Sequence, residues 1–457
     1  MYYHMPHTGL LTDFYQLTMA QASFKHQRHN LDAIFQLYFR KNPFNGNYTI
    51  AAGIADALNF IQNYRFNTES LDFLASLRHD NEPLFEDDFL SFLRSFKNTI
   101  SVFGVKDGDV VFPHEPLVRI EGPLFLCQLL ETPLLNIINF QSLIATKAAR
   151  IVGAANHKPV VDFGLRRAQG FDGAISATKA AYIGGVQATS NVWASKAFGI
   201  DHAGTQAHSF IMSFEHERDA FLAYAKSFPA SYVLLIDTYD PMQGLALAIA
   251  TFQNTKPSRM GIRLDSGDLL ALSTKARAML DEHGLQACQI IASGDLDEYE
   301  ITHLEKFLAP IDSYGVGTKL ITAYDQPSLG GVYKLVAIKE NGLWRDTFKS
   351  SASSFKASKP GAKSITRFFK NNQMVFDVVH DKNNHAEKRL LPRPFDHMNQ
   401  LDRHLMEQGV LLEAAQDIHE ARINAKANLA SLPSSLRDIH LSNDSYPVLF
   451  ESKENKS

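Results

Sequence analysis

The chain has 457 residues, 45% hydrophobic and 21% charged, with 45 Lys+Arg against 49 Asp+Glu and a net charge of −4. That length allows two or three domains with a substantial core, and the near-balanced charge gives no electrostatic reason to expect nucleic-acid binding. Cys127 and Cys288, the only cysteines, sit in apolar runs, which excludes a four-cysteine zinc site and suits buried thiols in a reducing compartment.

The opening MYYHMPHTGLLTDF lacks a basic stretch followed by an apolar one, so no secretory signal is expected. The first hundred residues read as mostly helical. Leu10, Leu11, Phe14 and Leu17 recur at helical spacing, with Thr8 or Thr12 as a cap, and a second helical pattern covers 51–64. Residues 100–122 alternate apolar and polar around Asp107-Gly108, the signature of a hairpin. Helical patterning resumes over 124–155. The stretch 124–140 comes nearest to a membrane span but carries Glu131, Asn136 and Asn139, so a cytoplasmic protein with no membrane partner is expected.

From residue 158 short apolar runs alternate with helical patterns. The runs are VVDFG (160–164), a stretch near 202–210, YVLLIDT (232–238), GIRLDSG, CQIIASGD (288–295) and IDSYGVGTKL. Helices are expected at 173–198, 216–228, 241–253, 268–283 and 297–308. This βα rhythm predicts an α/β fold: an irregular or incomplete barrel over 156–345, an N-terminal α+β domain over 1–155, and a small C-terminal element over 346–457 packing back on the N-terminal domain. After GGVYKLVAIK (330–339), the polar stretch 346–367 reads as a loop, 373–381 as a strand, 396–432 as helical, and the tail ESKENKS as disordered.

Polar, charged and glycine residues gather where the barrel runs stop, and barrel enzymes place their sites there. Arg263 and Asp265 are two apart and share a face; they serve either as an anion grip or as a structural salt bridge. Arg166 and Arg167 are adjacent and form either a site arginine or an exposed basic corner. His208 follows a Gly-Thr turn and is either a catalyst or a structural histidine. YGVGTKL offers glycines for close backbone approach to a phosphate, but it has neither P-loop nor dinucleotide spacing. FEHERD lacks HExxH spacing, and DKNNHAEKRL has Ala386 where a calcium loop needs glycine.

DFGLRRAQG, GTQAHSF, IRLDSGD, IASGDLDE, GVGTKL and SLGGVYKLV, in this order and spacing, resemble the motifs of nicotinate phosphoribosyltransferase, and LLTDFYQLTMAQ (10–21) resembles that family's N-terminal motif. The resemblance implies transfer of the 5-phosphoribosyl group from phosphoribosyl pyrophosphate to nicotinic acid, with Mg2+ and with ATP as co-substrate, through a transient phosphohistidine on His208. It implies catalytic roles for His208, Arg166, Arg263 and Asp265, with Asp265 as a magnesium ligand. Substrate contacts are implied for Phe163, Ser293, Gly294, Asp295, Gly315, Gly317 and Thr318. Tyr15 is implied to reach across a homodimer interface into the partner's site. The linker SASSFKASKPGAK (351–363) departs from the family pattern by lacking an acidic pair, while GGVQATSNVWA (184–194) carries no acid, which favours the acid over the amide substrate. The rivals are a nicotinamide- or quinolinate-using enzyme of the same fold and a non-catalytic relative.

Overall fold

A computed structural model describes residues 7–348, 360–382, 394–439 and 444–451. The chain divides into two units, Met1–Leu143 with Ser328–Ser457, and Ile144–Pro327.

The first unit is built on a seven-stranded antiparallel sheet. In spatial order its strands are Leu343–Asp346, Gly331–Glu340, Asp32–Phe39, Val118–Pro123, Ser101–Gly104, Arg403–Glu407 and Val410–Leu411. Asp32–Phe39 lies inside the stretch expected to be mostly helical. Ala33 to Leu37 are all buried, polar Gln36 included, so the segment shows a continuous buried run rather than alternation, and length alone does not separate such a run from a helix. GGVYKLVAIK, placed with the barrel on sequence, pairs along this strand instead.

Other expectations are corrected here. Thr8 and Thr12 cap nothing: their hydroxyls donate to the carbonyls of Asn63 and Leu129, and the helix Phe14–Lys25 follows Asp13. Asp107-Gly108 does not join a simple hairpin. Ser101–Gly104 pairs with Val118–Pro123, while the Asp107 carboxylate accepts from the N–H groups of Ile54 and Ala55 at the start of helix Ile54–Gln62. The span 396–432 is not one helix. It forms strands His397–Gln400, Arg403–Glu407 and Val410–Leu411 before helix Ile418–Ser431, because Gly409 turns the chain and Met406 packs inward on the sheet. The 346–367 stretch ends in strand Lys363–Lys370; its segment 349–359, like the tail 452–457, lies outside the described residues.

A four-stranded sheet completes the unit, with Lys363–Lys370 between His397–Gln400 and Gln373–Asp381, and Val448–Phe450 at the edge. Arg367, fully buried, donates to both oxygens of Asp377, with Nη2 to Oδ2 at 2.6 Å. Tyr446 donates to Asp377 Oδ1 at 2.9 Å and stacks on Phe112 at 3.9 Å. Glu115 lies beside them. Burial and the neighbouring Asp377 push its carboxyl well above the usual range.

The second unit carries seven parallel strands: β1 (Val160–Asp162), β2 (Ala188–Thr189), β3 (Asp201–His202), β4 (Ser231–Leu235), β5 (Arg259–Leu264), β6 (Gln289–Ser293) and β7 (Ser313–Val316). Their order is β3-β2-β1-β7-β6-β5-β4, a barrel sequence left open between β3 and β4. The expected incomplete barrel is therefore present. Helices α1 (Gly170–Ile183), α2 (Val192–Phe198), α3 (His208–Met212), α4 (Glu217–Ser227), α5 (Pro241–Thr255), α6 (Leu269–Glu282), α7 (Glu298–Lys306) and α8 (Thr318–Ile321) connect them. The expected helix 173–198 is broken. Gly184-Gly185 ends α1, β2 intervenes, and Asn191 starts α2 by accepting from Ala194 N–H.

Acidic caps fix where β4, β5 and β6 hand over to their helices. Asp240 accepts from Met242 and Gln243 N–H, Asp268 from Ala271 N–H, and Asp297 from Tyr299 and Glu300 N–H. Leu234, Leu235, Ile262, Leu264, Ile290, Ala292, Tyr314 and Val316 are buried on these strands, so the sheet is rigid where its C-terminal ends emerge.

Candidate active site

The parallel register brings the strand ends level. Asp162 lies opposite Val316, Ser293 opposite Gly315, Leu264 opposite Ala292, and Leu235 opposite Arg263. Arg263, on β5, points into this rim. Its Nε donates to Ser293 Oγ (2.7 Å), Nη1 to Thr205 Oγ1 (2.9 Å) and the Gln206 carbonyl (3.2 Å), and Nη2 to Asp265 Oδ1 (2.6 Å). Ser293 Oγ donates in turn to Asp265 Oδ1 at 2.5 Å. The guanidinium also lies 5.3 Å above the Phe163 ring. Arg263 thus ties four segments together and spends most of its five donors on protein.

Asp265 faces His208, with 3.6 Å between Oδ2 and Nε2. Burial alone would raise its carboxyl. The hydrogen bond from Ser293, the charge and hydrogen bond of Arg263, and His208 outweigh that and hold it below its ordinary value. His208 stands at the start of α3, six residues beyond β3 rather than on the strand end itself, and its Nδ1 is 3.2 Å from Thr238 Oγ1. It is 39% exposed on its side chain, so the imidazole is open to a ligand.

Two glycines are dictated by packing. Gly294 has φ +96° and lies so close to Asp265 that a Cβ would sit 2.0 Å from its carbonyl oxygen. A Cβ on Gly315 would lie 2.4 Å from the Phe163 ring. Both positions let the turn after β6 and strand β7 approach the charged cluster and its aromatic floor. Asp295 follows in the left-handed region, at φ +49°.

The remaining expected residues stand apart from this hydrogen-bonded cluster. Arg166 and Arg167 lie in a short turn after β1; both are exposed and form no ion pair among the described residues. Gly317 and Thr318 lead into α8, where Lys319 is held by Asp297 at 2.7 Å. Tyr15 lies in the first unit on helix Phe14–Lys25, half exposed beside exposed Phe14 and Met19.

Sequence reading missed the residues that brace this cluster. Asp237 Oδ2, just beyond β4, accepts from Asp265 N–H and Ser266 Oγ, each at 2.8 Å. Thr238 meets His208. Asp162, fully buried, accepts from Gly164 N–H, Thr178 and Thr189, which fixes the turn carrying Phe163 and Arg166. The signal was available for Asp237 and Thr238: YVLLIDT ends on polar residues just as the other runs do.

The model of the nicotinate phosphoribosyltransferase N-terminal domain matches residues 10–139, and that of the nicotinate phosphoribosyltransferase family matches residues 159–382. The chain belongs to the nicotinate phosphoribosyltransferase family. It is an enzyme of that class, and the cluster just described falls within the second matched span. Nicotinate phosphoribosyltransferase of Bacillus subtilis is 43% identical over 382 residues, covering 83% of this chain and 75% of the relative. That of Dictyostelium discoideum is 39% identical over 428 residues, covering 82% and 71%. The crystal structure of human nicotinic acid phosphoribosyltransferase superposes with a TM-score of 0.83 at 29% identity, covering 96% of this chain and 98% of that one. The nicotinate-nucleotide pyrophosphorylase of Pyrococcus furiosus, at 20% identity and a TM-score of 0.73, shares the fold.

Proposed function

We propose that this rim binds nicotinate and phosphoribosyl pyrophosphate and transfers the 5-phosphoribosyl group to the pyridine nitrogen, releasing pyrophosphate. The observation that carries the reading is the Arg263–Asp265–Ser293 cluster, with His208 exposed 3.6 Å away and Arg166 exposed nearby in sequence to Phe163. Arg166, with no internal ion-pair partner among the described residues, is free to grip an anion bidentately. Arg263 holds Asp265 and Phe163 in place and adds positive potential where pyrophosphate charge develops. Phe163 offers a ring face to the pyridine. Ser293, Gly294 and Asp295 line the ribose side, and Gly315, Gly317 and Thr318 receive the 5-phosphate.

Magnesium fits as a companion of the substrate rather than a resident ion. Among the described residues no three His, Cys, Asp or Glu side chains converge on a cage. Magnesium typically takes one or two carboxylates together with substrate phosphates and water, and Asp265 Oδ2 is the carboxylate oxygen not taken by Arg263 or Ser293. Bound there, it would neutralise pyrophosphate charge.

ATP is consumed through His208. An imidazole nitrogen attacks the γ-phosphorus, the bond to the β-phosphate oxygen breaks, and ADP leaves. The phosphohistidine adds about two negative charges beside Asp265 and reorganises the site for the donor. The enzyme works as a homodimer. Around the strand ends of the second unit, Phe171, Val192, Trp193, Met212, Tyr239 and Tyr324 are exposed, and Phe14, Tyr15 and Met19 are exposed in the first unit, which supports a second copy covering both surfaces.

The test offers nicotinate, nicotinamide and quinolinate separately with phosphoribosyl pyrophosphate, with and without ATP. Nicotinate mononucleotide is expected, with ADP formed in step. In His208→Ala the coupled ATP hydrolysis disappears and slow, ATP-independent product formation remains. Product from nicotinamide or quinolinate alone would overturn the substrate reading; ATP turnover by the variant in step with product would overturn the phosphohistidine.

A further inference from the structure

The barrel is open on one side. Among the described residues β3 pairs only with β2 and β4 only with β5, so neither strand offers the other a backbone partner. A buried N–H on such an edge must be met some other way. Ile236 N–H donates to the Arg263 carbonyl on β5. Leu235 N–H, one residue earlier, therefore turns to the open side, and Leu235 is fully buried. Its acceptor is a side chain, Gln206 Oε1, at 3.1 Å.

Gln206 lies in the segment that leaves β3 for α3. It alone is buried within 201–210, with Thr205 half-buried and Ala207 exposed on either side. Two residues on, His208 begins α3 and its Nδ1 meets Thr238 Oγ1 at 3.2 Å. The segment is thus fastened to the end of β4 twice, by Gln206 at Leu235 and by His208 at Thr238. Met would fill a similar space but leave the Leu235 N–H buried and unpaired, which is costly. The bond to that N–H fixes the amide orientation: Oε1 faces β4, and Nε2 is buried with no acceptor among the described residues. An unmet buried donor opposes stability, so this side chain is poorly chosen if stability is all it serves.

Resting on the reading of His208 as the phosphate acceptor, we infer that Gln206 is a positioning residue. Its side chain latches the His208 segment across the open seam of the barrel and holds the imidazole beside Asp265 for phosphoryl transfer. With the latch in place, the position of His208 is set by the packed strands β4 and β5. Without it, the exposed stretch at Ala207 lets the imidazole drift, and a small misplacement is expensive in a transfer that needs near-contact geometry. Pentosyl transfer depends less on the latch. Arg263, Ser293 and Asp265 bond to one another directly, and Gln206 meets Arg263 through its backbone carbonyl rather than its side chain.

The test compares full-length wild type, Gln206→Met and the shorter Gln206→Asn. Nicotinate mononucleotide formation is measured with and without ATP, together with acid-labile label retained from γ-labelled ATP and thermal unfolding. Both variants are expected to fold. The ratio of ATP-stimulated to ATP-independent rate should fall about tenfold, the size of one buried hydrogen bond expressed in phosphoryl transfer, with a matching loss of label. A merely structural role would lower both rates together as the melting temperature falls and leave the ratio unchanged. That result, or failure of both variants to fold, would overturn the inference. His208→Ala run in parallel separates two failures. ATP stimulation that survives in His208→Ala, or is missing from wild type, overturns the phosphohistidine reading and the latch with it. Stimulation lost in His208→Ala but intact in both Gln206 variants overturns the latch alone.

Discussion

Replacing Arg263 by lysine keeps the charge and removes the fork. The guanidinium reaches Ser293, Thr205, the Gln206 carbonyl and Asp265 from three different nitrogens. An ammonium presents its donors from one point and cannot span four acceptors on three segments, so two or three of these bonds are lost. Each is worth about 0.5–1.5 kcal/mol net, with more for the bond to a carboxylate. The stacking over Phe163 adds about 0.5–1 kcal/mol. Since the Arg263 side chain is only 11% exposed, solvent screening trims this little, and the site loses about 2–4 kcal/mol of organisation. If that organisation is expressed in the transition state, kcat/KM for phosphoribosyl pyrophosphate falls by roughly 30- to 1000-fold. Initial rates at saturating nicotinate and varied donor measure it, with thermal unfolding of the same preparations as the control for folding. An Arg263→Lys enzyme within about threefold of wild type, a difference below 1 kcal/mol, would refute the claim that fork geometry rather than charge organises the rim.

Three further outcomes are expected. Gly294→Ala forces a Cβ onto the Asp265 carbonyl from a left-handed backbone; it costs at least about 1 kcal/mol for the dihedral alone, and kcat/KM for the donor falls further than the melting temperature predicts. Tyr446→Phe removes a donor from buried Asp377 and lowers unfolding free energy by about 1–2 kcal/mol, because Arg367 still holds that carboxylate; denaturant melts should show it, with unchanged KM values. Asp265→Asn isolates a carboxyl held below its ordinary value, so its contribution is present above the ordinary carboxylate range and lost as pH falls through the depressed folded value. The stability difference between wild type and variant should therefore be constant near neutrality and close in acid; a difference that widens in acid would reverse the assigned sign.

The barrel was legible because each of its longer strands is a short β-branched or apolar run followed by a polar turn and an amphipathic helix. YVLLIDT, GIRLDSG and CQIIASGD all became β4, β5 and β6 with ends a few residues away from those expected. The two-residue strands β2 and β3 were not legible. Ala188–Thr189 carries no periodicity of its own and exists because β1 offers it a hydrogen-bonding edge. In the first unit, pattern reading found the antiparallel element of 100–122 and the strand 373–381, but it missed Asp32–Phe39 for a related reason. Asp32–Phe39 is covered on both faces, and its central place is set by the strands Gly331–Glu340 and Val118–Pro123, nearly three hundred and about ninety residues away along the chain. Pairings that distant leave no local mark.

The same division runs through the site. The charged and glycine residues at strand ends stand out because buried strands ought not to stop on them. What the sequence does not display is which of those charges is already spent. Arg166, Arg167 and Arg263 look equivalent as letters, yet Arg263 is committed to four acceptors inside the protein and Arg166 is exposed without an ion-pair partner among the described residues. An arginine so engaged pays little entropy on binding and reorganises little, so its effect is to hold a preset field; an arginine at the surface must be ordered by the ligand it grips. The two should therefore differ in where their loss is felt. Arg166→Ala should raise KM for the anion it contacts, whereas loss of Arg263 should depress kcat, because it disturbs Asp265, Phe163 and His208 together. Steady-state kinetics of both variants, with nicotinate and donor varied in turn, discriminate these roles. Equal effects on the same parameter would mean that the internal hydrogen bonds of Arg263 break on binding and that it, too, is a ligand grip.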